Sequence, residues 1–265
     1  MRLKLTCKHC RRNIQIEGDH EISGSIECPN CSKHIEIPSN ILDVDTMVGG
    51  FRIEKHLGSG SMGCVYLARQ VSMDRQVALK VLPPHVTSDE EELNNFFHEV
   101  RTLAKMDHPN IVTAFEAGES NNTYFLAMTY VAGETLEEKL MREKMIDQDL
   151  AIKIAIKIGD ALNYAWEKFH LLHRDLKPEN IMIDEPSGEP KLLDLGISKI
   201  VGDDARKTIS SDGFLVGTPY YMSPEQAQNR EDLDIRSDIY SLGCTLYHLV
   251  TGEVPYSGEN VMQVL

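Results

Sequence analysis

Basic charge is what this sequence is short of: 27 Lys and Arg stand against 41 Asp and Glu, a formal net charge of −14. A surface that grips nucleic-acid phosphates needs clustered cations, so this balance argues against a general nucleic-acid-binding protein. Long apolar runs are missing too, and no stretch approaches the roughly 20 residues that span a bilayer. The N-terminus has no signal-peptide pattern, with Cys7 and Cys10 close behind Met1, so the expectation is a cytoplasmic chain. Beyond residue 31, cysteine is confined to Cys64 and Cys244, where structural roles suffice. What is present is ordinary: 265 residues, 42% hydrophobic and 26% charged, suit a globular protein of one large or two small domains.

The remaining four cysteines form Cys7-x2-Cys10 and Cys28-x2-Cys31. That spacing fits one tetrahedral Zn2+ held by four thiolates, each pair offering two. Disulfides in a secreted mini-domain are the alternative, and a reducing compartment disfavours them. His9 and His34 read as solvated neighbours, since four thiolates already complete the shell. Short strands are expected at Asn13 to Ile16 and Ser25 to Glu27, around a Gly18-Asp19 turn. So small and polar a unit cannot build a sufficient core, and metal would supply most of its folding energy. It resembles a zinc ribbon. Residues 1–40 hold six Lys/Arg against five Asp/Glu, too even for a phosphate-binding face, so a structural or protein-contact module is expected. The reading takes 1–38 as the ribbon and 39–50, rich in Ser, Asn, Asp and Gly, as a linker.

The most informative residues are His173-Arg174-Asp175-Leu176-Lys177-Pro178-Glu179-Asn180, followed by Asp194-Leu195-Gly196. They set an acid, a lysine, an amide and a second acid at spacings suited to moving a phosphoryl group off Mg-ATP. Both segments abut apolar stretches that read as strands: Phe169 to Leu172, Ile181 to Ile183, and Leu192-Leu193. Upstream, Gly58-Ser59-Gly60-Ser61-Met62-Gly63 stands between strand-like runs at Phe51 to Leu57 and Cys64 to Val71. A dinucleotide-binding glycine motif would run into a helix instead. Further strands are expected at Gln76 to Leu82, Val112 to Ala117 and Tyr124 to Tyr130. A helix is expected from a Ser88 to Glu91 capping box through Leu93, Phe96, Phe97, Val100, Leu103 and Ala104. Two more amphipathic helices are read at Ala151 to Phe169 and Asp238 to Val250.

With Val77-Ala78-Leu79-Lys80 and Ser223-Pro224-Glu225 in the same order, residues 51–265 resemble a Ser/Thr protein kinase of the bacterial, eukaryotic-like type. The resemblance implies an α+β, two-lobed protein kinase-like fold behind the ribbon. It has an antiparallel small lobe at 51–130 and a mainly helical large lobe at 131–265. It implies ATP held by Leu57, Gly58, Gly60, Gly63, Val65, Ala78, Lys80, Met128 and Val131, with Glu99 on Lys80. Thr129 stands where Glu is more usual, and adenine is read there by backbone. Asp175 is implied as the base, Lys177 as stabiliser of the transferring charge, and Asn180 and Asp194 as ligands of Mg2+. Asp238 is implied to prop the catalytic loop. Arg174 is implied to meet a phosphorylated activation segment carrying Arg206, Lys207, Thr208, Ser210 and Ser211, with Thr218 touching base and substrate. Partners implied are protein substrates with Ser/Thr acceptors, and a second copy for autophosphorylation. The other reading is a nucleotide-binding pseudokinase scaffold recruited through its ribbon. Such a scaffold would be free to lose one of Lys80, Glu99, Asp175, Asn180 or Asp194, and all are present. Kinases of this type continue for several helices past the Pro255-Tyr256 stretch. The expectation is therefore the N-terminal portion of a longer protein, with Ile239, Leu242, Leu246, Leu249 and Val250 left partly uncovered.

Overall fold

The computed structural model describes residues 2–7, 13–17, 24–37, 42–60, 63–82, 90–195, 219–258 and 261–264. His9, Cys10, the Gly18-Asp19 turn, Ser61, Met62, the Ser88 cap, Gly196, Arg206, Lys207, Thr208, Ser210, Ser211 and Thr218 lie outside the described residues. The chain divides into two compact units, Met1–Val100 with Ala114–Tyr130, and Arg101–Thr113 with Val131–Leu265.

The first unit opens with two hairpins: β1 (Arg2–Thr6) against β2 (Asn13–Glu17), and β3 (Gly24–Glu27) against β4 (His34–Ile37). The sequence reading set 13–16 and 25–27 around one Gly18-Asp19 turn. Instead each strand pairs across its own cysteine pair, with Thr6 opposite Asn13 and Glu27 opposite His34. A tight turn at the second pair explains this for β3 and β4. The Ser32 amide donates to the Cys28 carbonyl at 2.9 Å and the Cys28 amide to the Lys33 carbonyl at 2.8 Å, reversing the chain within six residues.

A six-stranded antiparallel sheet follows, in the order β5-β6-β7-β8-β10-β9. Its strands are β5 (Met47–Val48), β6 (Phe51–Gly60), β7 (Gly63–Gln70), β8 (Arg75–Val81), β9 (Ala114–Ser120) and β10 (Thr123–Thr129). Side chains alternate across a strand, so Phe51, Ile53, Cys64, Tyr66, Ala68, Val77, Leu79, Val81, Phe125 and Ala127 gather into one buried core. Cys64 thus has the structural place expected of it. Helix α1 (Glu90–Leu103) buries Phe96, Val100 and Leu103 at helical spacing, and Ala104 falls just outside it.

In the second unit, β11 (Gly133–Thr135) leads into α2 (Leu136–Glu143) through a Thr135–Glu138 capping box. Helix α3 (Gln148–Phe169) starts one turn before the expected Ala151, because the Asp147 carboxylate caps it by accepting from Asp149 and Leu150 amides. Phe169 is its last residue and His170, at φ 50°, its left-handed cap, so the strand expected from Phe169 is instead a helix end. The apolar face expected of this helix is narrower than read: Ala151, Ile154, Ile158, Ala161, Leu162 and Ala165 are buried, whereas Trp166 and Phe169 are half-buried. Strands β12 (Ile181–Asp184) and β13 (Pro190–Leu192) complete a three-stranded sheet with β11.

After the short α4 (Pro224–Ala227), helix α5 (Ile235–Thr251) packs against α3, and α6 (Val261–Val264) follows. Asp234 caps α5, so Asp238 lies inside its first turn rather than opening it. Leu249 is 1% exposed, whereas Ile239, expected on the same apolar face, is 51% exposed. Among the described residues no helix is long and apolar enough to cross a membrane.

Gly252 ends α5 at φ 76°, and a Cβ there would stand 2.4 Å from the Lys144 carbonyl oxygen. Both the left-handed backbone and the close approach exclude a side chain. Gly252→Ala is expected to cost about 2 kcal/mol or more, read as a lowered urea midpoint at unchanged m-value.

Candidate active site

Candidate residues occur in each of the two units. In the first, strand pairing puts Val65 opposite Lys80, Leu67 opposite Ala78, Leu126 opposite Lys80 and Met128 opposite Ala78. On β8 the alternation sends Val77, Leu79 and Val81 into the core and Ala78 and Lys80 to the other face. Val65, Ala78, Lys80 and Met128 therefore share the face away from the core. Lys80 is only 2% exposed. A buried ammonium is costly unless an anion or hydrogen-bond acceptor compensates it. Glu99 sits half-buried on α1 beside buried Val100, and both Lys80 and Glu99 are engaged in polar interactions.

The glycine-rich segment ends β6 and begins β7, with Gly58 opposite Val65 and Gly60 opposite Gly63. Gly63 has φ 103°, a conformation that a side chain rarely allows, and a Cβ at Gly58 would meet open space. Ser59 and His56 add a contact that the sequence reading did not foresee. The His56 Nε2 and Ser59 Oγ atoms are 2.7 Å apart, and Ser59 Oγ donates to Cys64 Sγ at 3.1 Å. Burial holds the His56 imidazole below its ordinary pKa.

The second unit carries Val131, Asp175, Lys177, Asn180 and Asp194. Lys177 Nζ lies 2.8 Å from Asp175 Oδ2. Asn180 Nδ2 donates to the Asp175 carbonyl at 2.7 Å and to its Oδ2 at 3.1 Å. Acid, lysine and amide are thus one cluster. The backbone beneath it is fixed from α5: the buried Asp238 carboxylate accepts from the His173 amide at 2.7 Å and the Arg174 amide at 2.9 Å. The His173 ring is fully buried. Its Nδ1 accepts from the Asp175 amide at 3.3 Å, so Nε2 carries the proton and donates to the Leu193 carbonyl at 2.9 Å. That carbonyl immediately precedes Asp194, itself at φ 52°, and the Leu193 amide donates to the Asn180 carbonyl at 2.9 Å. Leu195 is 2% exposed.

Two supports went unread in the sequence. Asn110 is buried, donates from Nδ2 to the Pro190 carbonyl at 2.8 Å and accepts from the Leu192 amide at 2.8 Å, anchoring β13 ahead of Asp194. Gln226 closes a capping box with Ser223 and also donates from Nε2 to the Arg174 carbonyl at 2.8 Å. The S-x-x-Q spacing was the available signal for the cap, though not for the second bond. Glu225 accepts from the Ser237 hydroxyl at 2.7 Å, which holds its carboxyl below the usual range.

Away from this cluster, Cys7, Cys28 and Cys31 bring their sulfurs within 4.8 Å of one another, and the Cys7 and Cys31 sulfurs are 3.6 Å apart. A disulfide needs about 2.0 Å. Ligands about 2.3 Å from a tetrahedral Zn2+ lie about 3.8 Å apart, near the observed value. Burial pushes the Cys28 thiol up, but hydrogen bonds from the Asn30 and Cys31 amides and the neighbouring thiols outweigh it and bring it down to about 7.

A twisted antiparallel sheet with one helix in one unit, and a helical unit bearing the acid–lysine–amide loop, define a protein kinase-like domain. The chain belongs to the protein kinase domain family, which matches residues 51–265. It is 39% identical over 230 residues to the serine/threonine-protein kinase pkn3 of Myxococcus xanthus, covering 83% of this chain and 42% of that protein. It is 35% identical over 216 residues to the serine/threonine-protein kinase PrkC of Bacillus subtilis, covering 82% of this chain and 32% of that protein. The chain therefore spans less than half the length of these relatives. The PknI kinase domain of Mycobacterium tuberculosis superposes with a TM-score of 0.67 at 27% identity, covering 83% of this chain and 80% of that one.

Asp238→Ala strands one buried and one part-buried amide, each worth roughly 1–3 kcal/mol when left without an acceptor. The expected loss of roughly 2–5 kcal/mol would appear in equilibrium urea unfolding, and an unchanged midpoint would contradict this account of the loop.

Proposed function

We propose that the chain is an ATP-dependent serine/threonine protein kinase that transfers the γ-phosphoryl group of ATP to Ser/Thr hydroxyls, its own activation segment included. The observation that carries the reading is Asp175 with Lys177 and Asn180 both on its carboxylate. In this reading Asp175 accepts the proton of the acceptor hydroxyl, late in a largely dissociative transfer. Lys177 stabilises charge on the transferring group. Asn180, whose Nδ2 is already used on Asp175, keeps Oδ1 as a hard ligand atom, and Asp194 offers a second. Mg2+ bound there would neutralise charge on the β- and γ-phosphates. Lys80, buried and facing away from the core beside Ala78 and Val65, suits the α- and β-phosphates, with Glu99 holding it. Leu57, Val65, Ala78, Met128 and Val131 suit adenine, and Gly58, Gly60 and Gly63 the phosphates.

The proposed organisation is a zinc-binding module at 1–38, a connection at 39–50, a small lobe at 51–130 and a large lobe at 131–265; the connection is no free linker at its end, since Met47–Val48 joins the sheet as β5 and Val48 is buried in its core. In the module, Cys7, Cys28 and Cys31 would hold Zn2+, with Cys10 as the fourth ligand by spacing. A cytoplasmic setting with protein substrates, and self-association for autophosphorylation, accords with these assignments.

Asp175→Asn should lower the initial rate of Mg-ATP autophosphorylation by at least about a hundredfold, with nucleotide affinity within a few-fold of the parent. A variant as active as an active parent would remove Asp175 from the role of base.

Metal analysis of freshly purified protein should find one zinc per chain, and Cys28→Ser should abolish it. Two disulfides by mass spectrometry, or no zinc, would rule the site out.

A further inference from the structure

We propose that Gln226 is a positioning residue for the base: it holds the peptide joining Arg174 to Asp175 and so sets where the Asp175 carboxylate points. The inference rests on the kinase reading above. Three consecutive peptides lead to Asp175. The first two present their N–H groups, those of His173 and Arg174, to the Asp238 carboxylate. The third has its N–H, that of Asp175, 3.3 Å from His173 Nδ1 and its carbonyl, that of Arg174, 2.8 Å from Gln226 Nε2. The Gln226 contact is the shorter of the two on the peptide that directly precedes the base.

The residue that contributes this carbonyl is itself held in an unusual conformation. Arg174 sits at φ 66°, in the left-handed region, without being glycine. Such a conformation persists only where the surroundings over-determine it. Turning the Arg174–Asp175 peptide over would change ψ of Arg174 and φ of Asp175, and would exchange the carbonyl facing Gln226 for an N–H. The Gln226 amide opposes this because its own orientation is fixed. Its Oε1 accepts from the Ser223 amide at 3.1 Å, leaving Nε2 for the Arg174 carbonyl; a flipped amide would set donor against donor and acceptor against acceptor. The anchor is firm as well. Ser237 Oγ on α5 donates to Glu225 at 2.7 Å, and Ser241 Oγ donates to the Tyr221 carbonyl at 2.7 Å. Helix α5 thus reaches the loop by two arms, Asp238 directly and Gln226 through α4.

Capping and positioning separate by mutation. Gln226→Glu keeps an oxygen for the Ser223 amide but turns the donor facing Arg174 into an acceptor. Ser223→Ala removes the capping hydroxyl and leaves the Arg174 contact intact. At saturating Mg-ATP, Gln226→Glu is expected to lose about ten- to hundredfold in autophosphorylation rate, a cost typical of a misplaced catalytic group, with the KM for ATP changed less than about threefold. Ser223→Ala should keep the rate within about twofold and lower only the melting temperature. Hydrogen exchange in the full chain, followed on the peptide spanning 171–176, should quicken about tenfold in Gln226→Glu and not in Ser223→Ala, as an opened backbone contact requires. Equal rate losses in the two variants, or a Gln226→Glu rate within about twofold of the parent, would overturn the proposal. If the parent itself transfers no phosphate, the kinase reading falls, and exchange alone decides on Gln226: unchanged exchange in Gln226→Glu would overturn it.

Discussion

One buried carboxylate organises the second unit. Asp238 is 1% exposed on α5 and spends both oxygens on consecutive amides of the loop that leads to Asp175. A buried charge is tolerated only when its lone pairs are satisfied, and two N–H donors that no helix or sheet claims are a suitable complement. The arrangement depends on α5 being held still, and its packing against α3 supplies that. It also depends on α3 ending at His170, whose left-handed cap turns the chain from helix into the loop. Without that cap the segment before Asp175 would run on as helix, and its amides would be consumed by their own turn.

From this point the fixed geometry spreads in two directions. The His173 ring passes it to Leu193 and so to Asp194, while Asn180 closes back on Asp175 from the far side of the loop. Asn110 secures β13 independently. Two positive-φ residues, Arg174 and Asp194, stand at the two ends of this network. Their backbone strain is the kind that accumulates where side chains must be aimed rather than merely packed. In the first unit the aiming is simpler. Period-two alternation alone sends Val77, Leu79 and Val81 to the core and Ala78 and Lys80 to the opposite face. A one-residue slip of β8 would bury the wrong set, so the core that stabilises the sheet also fixes where the lysine emerges.

Residues whose chemistry is local were legible in the sequence. Asp175, Lys177 and Asn180 lie within six positions, and their mutual contacts follow from that spacing. The sheet strands were legible from alternation, and α1, α3 and α5 from helical spacing, to within about a turn. What escaped was non-local or geometric. The Gln226 bond spans 52 residues and the Asn110 bond 80, and no periodic pattern encodes either. Phe169 to Leu172 reads as a strand because it is apolar and short. Length cannot separate such a run from a helix end whose stop signal is a histidine rather than the expected glycine. The hairpin pairing of β1 with β2 escaped because the glycine-containing turn signal at Gly18-Asp19 drew the reversal away from the cysteines.

The N-terminal hairpins follow a different physical logic from the rest. In the six-stranded sheet a continuous set of apolar side chains does the stabilising. In residues 1–38 the buried side chains described are Cys7, Ile14 and Cys28. Three sulfurs that converge at metal-ligand spacing are the feature that the described residues of this segment offer. The lowered Cys28 thiol points the same way, since amides that stabilise a thiolate lower the cost of presenting it to a cation. Among the described residues, then, an apolar cluster marks the sheet and a cluster of thiols marks the hairpins that precede it.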